Sequence, residues 1–147
     1  MPEADIERVE IAALLHELGK LRIPDNLMLK TSQLSEEESN SIKRQGFDTQ
    51  IILEQIKGFK IISEIIHTYY ASYLTDGEIE ASLPLGVRII HMAKMVQTIL
   101  ENPHENLEHS KHHIKSLCHI YALEEEAYEG ILHHLSACYE QRYIATA

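Results

Sequence analysis

Leu85, Ile89, Met92, Val96 and Ile99 recur at steps of four, three, four and three. That is the period of a helix with one continuous apolar stripe. Val87 and Ile90 lie on the opposite side of the same segment, so it reads as a central helix covered on both sides. Strands are not available to cover it: Ile51-Ile52-Leu53 and Ile61-Ile62 are short apolar groups inside helical patterns, not alternating runs. An all-α chain follows, a single compact domain of about six to seven helices with short connections.

The helices can be placed in order. Glu3, Asp5 and Glu7 suit the first turn of a helix over residues 3–18 that stops at Gly19. Ile23-Pro24-Asp25 leads into a short turn ending at Leu29, and Ser35 with Glu38 has the spacing of a capping box. The helix it opens runs to about Gln45, where Gly46 breaks it; further helices cover about 48–56 and 60–73. Thr75-Asp76-Gly77 marks a turn, Pro84 opens the central helix that ends at about Leu100, Asn102-Pro103 breaks the pattern, and two last helices cover about 105–121 and 124–142.

Charge narrows the function classes. Thirteen Lys and Arg stand against 23 Asp and Glu, a net −10. Nucleic-acid binders spread Lys and Arg over a phosphate-tracking face, so DNA is not an expected partner, and an anionic membrane surface is disfavoured for the same reason. At 44% hydrophobic residues over 147 positions the chain can bury a core without disulfides. Cys118 and Cys138 form no CxxC and read as two small buried thiols of a reducing compartment. No run approaches a membrane span and the acidic start is no signal peptide, so the cytoplasm is the expected location.

The strongest local feature is Leu14-Leu15-His16-Glu17-Leu18-Gly19-Lys20. His16 continues the stripe Ile6, Val9, Ala13 and should point inwards. An imidazole beside a carboxylate at the end of a buried helix can hold a metal ion or share a proton, though a hydrogen-bonded core histidine is the commoner case.

The segment Ala13 to Asp25 resembles the His-Asp-x-Gly-Lys stretch of the HD-GYP family, a branch of the HD metal-dependent phosphohydrolases. The likeness runs on through Leu27-Met28-Leu29-Lys30, Leu34 to Glu38, Ile42-Lys43-Arg44-Gln45, Ile51 to Leu53, Ile61 to Tyr70 and Pro84 to Ile90, and reaches about Thr98. The resemblance implies an all-helical HD-like fold. In active members it implies two or three metal ions, often iron or manganese, that activate water to hydrolyse cyclic di-GMP.

The departures from the family pattern fall on its ligand positions. The aspartate after the first histidine is Glu17, the next histidine is Gln45, the paired histidines and following glutamate are Tyr69, Tyr70 and Ala71, and the last aspartate is Lys94. Glu78-Ile79-Glu80 stands where Gly-Tyr-Pro belongs, and only fifteen residues precede His16, too few for the family's opening helices. The chain is thus expected to be a degenerate domain over residues 1–147, a fragment of a longer signalling protein. A Lys94 ammonium about 4 Å from a dication would be repelled by roughly 8 kcal/mol at an effective dielectric near 20. Two readings of Lys94 follow: it snorkels to solvent beside Val87 and Ile90, or it pairs with Glu17 where the metal stood.

The expected site is therefore vestigial: His16, Glu17, Lys20, Lys30, Gln45, Tyr69, Tyr70 and Lys94, with no catalytic residue and no metal ligand set. Lys20 and Lys30 match family lysines near the phosphate site. The expected function is that of an inactive HD-GYP-like regulatory or interaction module in bacterial signal transduction, of the response-regulator output type. No cofactor is expected; its partners are proteins or other domains of a signalling protein, a cyclic dinucleotide, or a second copy in a homodimer. The alternatives are an active phosphohydrolase with a rebuilt iron, manganese or zinc site, and a purely structural dimerisation module. His109, His112, His113, His104, His133 and His134 read as a solvated face, Tyr69, Tyr70 and Tyr73 as core packing, and Glu124-Glu125-Glu126 as an acidic helix start. No Gly-rich phosphate loop or nucleophile elbow is present.

Overall fold

A computed structural model describes residues 1–74, 82–102 and 106–145. The Thr75-Asp76-Gly77 turn, the Glu78-Ile79-Glu80 segment and His104 lie outside the described residues. All regular structure among those described is helical: seven helices longer than one turn, one single-turn helix and one 3-10 helix, with no strand. The helix count and class match the expectation. The chain divides into two compact units, Met1–Gly77 and Glu78–Ala147.

The first unit holds α1 (Glu3–Leu15), a 3-10 helix (Leu18–Arg22), α2 (Asp25–Met28), α3 (Glu36–Lys43), α4 (Gln45–Glu54) and α5 (Lys60–Leu74). α4 packs on α5 and on the 3-10 helix, and α1 packs on α5. The capping box forms as its spacing predicts: Ser35 Oγ accepts from Glu38 N at 3.2 Å, and Glu38 Oε2 accepts from Ser35 N at 2.7 Å. Val9, Ala12, Leu53, Ile62, Ile66 and Tyr69 are buried. Each fully buried aliphatic side chain there stabilises the unit by about 1.5–3 kcal/mol.

Three local expectations change. α1 ends at Leu15, and Gly19 lies inside the 3-10 helix instead of stopping a helix. A Cβ on Gly19 would stand 1.9 Å from the Gln45 carbonyl oxygen, so close approach of α4 and not helix termination demands glycine. Gly46 does not break α3; the break falls at Arg44, and Gly46 is buried within α4, where a Cβ would meet the Tyr70 ring at 2.3 Å. The inner face of α1 is Val9, Ala12 and His16, one position round from the expected stripe, and Ile6 is exposed.

The second unit holds α6 (Leu85–Glu101), α7 (Leu107–Ile120) and α8 (Glu125–Ala145). α6 buries Val87, Ile90, Met92, Val96 and Ile99, members of both predicted stripes, while Leu85 in its first turn is exposed and Ile89 only partly buried. Met92, Val96, Ile99, Ile114, Leu117, Cys118, Tyr121, Leu135 and Tyr139 form one apolar cluster. α7 and α8 are further tied where the Ser110 and Tyr139 hydroxyls meet at 2.8 Å. Between them Ala122 adopts φ +47, the left-handed conformation that usually takes glycine. Arg88 secures that turn, donating to the Tyr121 and Ala122 carbonyls at 2.8 Å each and to the Leu83 carbonyl at 3.0 Å. Cys118 is buried as expected, but Cys138 is only partly so, because it lies one position off the α8 face that Leu135 and Tyr139 bury.

Candidate functional site

His16 caps the C-terminal end of α1 and turns its ring inwards, with its side chain 16% exposed. Its Nδ1 lies 2.7 Å from the Ala13 carbonyl oxygen. A carbonyl only accepts, so Nδ1 carries a proton, and in the neutral form of the ring the lone pair falls on Nε2. That Nε2 is buried and has no hydrogen-bond partner among the described residues. Glu17 Oε1 is 3.8 Å from it, and the same oxygen pairs with Lys20 Nζ at 2.5 Å.

Three of the expected site residues, Tyr69, Tyr70 and Gln45, belong to the same unit as this histidine. Tyr69, 3% exposed, sets its ring against the His16 ring in a T-shaped contact, centroids 5.4 Å apart. Tyr70 stands edge-on to Tyr69 at 5.1 Å, lies over Gly46, and donates its hydroxyl to the His16 backbone carbonyl at 2.9 Å. Gln45 begins α4, and its side-chain oxygen is buried with no hydrogen-bond partner among the described residues.

Sequence reasoning missed Thr49, which is fully buried. Its hydroxyl accepts from Gly19 N at 2.7 Å and donates to the Gln45 carbonyl at 2.9 Å, with the His16 carbonyl at 3.3 Å. One small side chain thus ties the histidine turn to α4. The only signal in the sequence was its place, four residues after Gln45.

Lys30 is taken up by a local pair, and Lys94 lies on α6. Lys30 donates to both Glu38 oxygens, at 2.6 and 2.8 Å. That hydrogen bond, with the Ser35 backbone second, holds the Glu38 carboxyl below the usual carboxylate range. Lys94 belongs to the second unit, is partly buried on α6, and donates to Gln97 Oε1 at 3.4 Å. His109, His112, His113, His133 and His134 are exposed, the solvated faces expected of them.

His91, one turn after Val87, is a second missed residue. It is fully buried and stacked on Tyr121 with ring centroids 5.9 Å apart, and burial pushes its pKa down to about 4. A histidine within an apolar helical pattern was the available signal.

A catalytic dication of this chemistry takes four to six nitrogen or oxygen ligands. His16 Nε2 and Glu17 are two, Gln45 offers only a weak amide oxygen, and the Tyr70 hydroxyl is engaged with backbone. Among the described residues no group of three or more His, Cys, Asp or Glu could hold a metal ion. The donor set of the first unit therefore does not fit the metal cluster that the resemblance implies.

The comparisons with known proteins agree on the family. The HD domain family profile matches residues 1–119. The chain is 31% identical over 109 residues to the cyclic di-GMP phosphodiesterase response regulator RpfG of Xanthomonas campestris pv. campestris (strain 8004), an alignment that covers 68% of this chain and 28% of that protein. It is 26% identical over 95 residues to 3'3'-cGAMP-specific phosphodiesterase 1 of Vibrio cholerae serotype O1, covering 62% of this chain and 22% of that protein. The chain thus spans about a quarter of the length of these relatives. No solved structure matches it. No helix among the described residues is long and apolar enough to cross a membrane. With most of its length matched by one profile, the chain belongs to the HD domain family.

Proposed function

We propose that the chain is a catalytically inactive HD domain that serves as a regulatory or interaction module in bacterial signal transduction. The observation that carries this reading is the use made of Tyr69 and Tyr70, which the resemblance aligns with paired metal-binding histidines. One ring packs edge-on against His16, and the other spends its hydroxyl on the His16 carbonyl at 2.9 Å. Both act as packing and cross-linking groups that hold α5 to the end of α1. The setting is the cytoplasm, and the partners are other domains or proteins of a signalling pathway, with a homodimer as the self-association form.

The relatives' names supply the ligands to test, cyclic di-GMP and 3'3'-cGAMP. Lys20 and Lys30 are each held by a carboxylate, so phosphate capture through them requires breaking a pair. The test is hydrolysis of both dinucleotides with manganese or ferrous iron in excess. No turnover above a no-protein control is expected; turnover lost in His16→Ala overturns the reading. Calorimetry on the same samples decides whether either dinucleotide binds without being cleaved.

One observation favours the active-enzyme alternative: the bare Nε2 of His16 beside Glu17. Elemental analysis of untagged protein purified without chelator separates the two. Less than about a tenth of an equivalent of iron, manganese or zinc that depends on His16 supports inactivity. A full equivalent lost in both His16→Ala and Glu17→Ala supports a rebuilt site.

A further inference from the structure

α8 carries a second set of donor atoms, far in sequence from His16. His134 and Cys138 are one helical turn apart, the spacing that stacks two side chains on one face. His134 is exposed and Cys138 partly so, which leaves both reachable from solvent. Cys138 Sγ and His134 Nε2 lie 3.6 Å apart. Zinc bonds of about 2.3 Å to sulfur and about 2.05 Å to nitrogen, at a near-tetrahedral angle, place the two donors roughly 3.5 Å apart. The atoms therefore already hold the separation that a zinc ion imposes.

We propose that His134 and Cys138 form a two-point chelate for a thiophilic divalent cation of the zinc type. Binding replaces the thiol proton with the metal: Cys138 releases its proton to solvent and coordinates as thiolate, while His134 coordinates as neutral imidazole through Nε2. Among the described residues no third His, Cys, Asp or Glu joins them, so water or a donor on a bound molecule completes the coordination. His134 also lines an apolar groove of about 630 Å³ between α6 and α8, walled by Ile89, Met92, Val96, Leu100 and Ile131. A molecule with an apolar body and a metal-binding head is the class that could use groove and ion together. Cys118 is no rival: it is buried, and burial together with the Glu125 carboxylate pushes its thiol up, away from the thiolate a metal needs.

The proposal is independent of the HD site and is tested with cobalt(II) as a spectroscopic stand-in for zinc on the full chain, reduced and untagged. The expected result is a thiolate-to-cobalt charge-transfer band that saturates at one equivalent. Zinc should displace it. Cys138→Ser should abolish the band, and His134→Ala should weaken cobalt binding at least tenfold, with Cys138→Ala as a second variant should the serine perturb the helix. Peptide mapping after alkylation should show zinc protecting Cys138 and not Cys118. A wild-type protein without the band, a band that survives in both Cys138 variants, or unchanged affinity in His134→Ala would each overturn it.

Discussion

The two units are held together by different means. In the first, Gly19 lies so close to the α4 backbone and Gly46 so close to the Tyr70 ring that both positions demand glycine, and directional bonds from Thr49 and Tyr70 fix them. In the second, an apolar cluster on three helices does most of the work, supported by directional bonds from Arg88 at one turn and by the Ser110–Tyr139 hydroxyl pair. The lesson concerns buried polar groups. Those around His16 need specific partners, so the first unit depends on individual atoms. The second needs mainly volume and periodicity, which many sequences satisfy.

Four substitutions sharpen that contrast. Gly19→Ala should have the largest effect, about 3 kcal/mol or more, because its Cβ would meet backbone that cannot swing aside; denaturant melts of the variant measure it. A wild-type-like melt would mean the 3-10 helix moves freely off α4.

The second unit has its own costly polar group in His91. Its folded pKa of about 4 lies below the ordinary value of 6.5. Between those values the unfolded chain takes up a proton that the folded chain refuses. Stability is therefore complete above pH 6.5 and falls as pH drops towards 4, by on the order of 3 kcal/mol in all. His91→Met should flatten this acid limb in pH-dependent melts, and a limb of unchanged slope would exclude His91 as its source.

Thr49→Val comes next, at about 2 kcal/mol, since it strands the buried Gly19 N–H while keeping the shape. The smallest effect has the opposite sign. Ala122→Gly should raise stability by about 0.5–1 kcal/mol by relieving the left-handed turn between α7 and α8; a lower melting temperature would show that the Ala122 methyl packs usefully.

Much of this was legible in advance, and the failures share a cause. α6 and the Ser35 capping box follow from spacing within one segment, so the sequence displays them directly. Gly19 and Gly46 were misread because glycine has two uses. Helix termination is local, but close approach depends on a partner, Gln45 or Tyr70, that sequence distance hides. Cys138 was placed inside by residue type, though its register on α8 puts it at the edge of the buried face. At the candidate site the residue types were readable from the family resemblance. The hydroxyl link from Tyr70 to the His16 carbonyl was not, since it joins side chain to backbone and leaves no pattern in the letters.

That link bears on history as well as chemistry. On the proposed reading that position 70 once held histidine, its return would withdraw a hydroxyl from the His16 carbonyl and leave a smaller ring over Gly46, where no side chain exists to fill the gap. Such a single reversal would lower stability while Gln45 and Tyr69 stand unchanged, with no ion gained in exchange. Selection would then meet a valley at the first step, and the present state would be entrenched: mutation could drift around it far more easily than back through it.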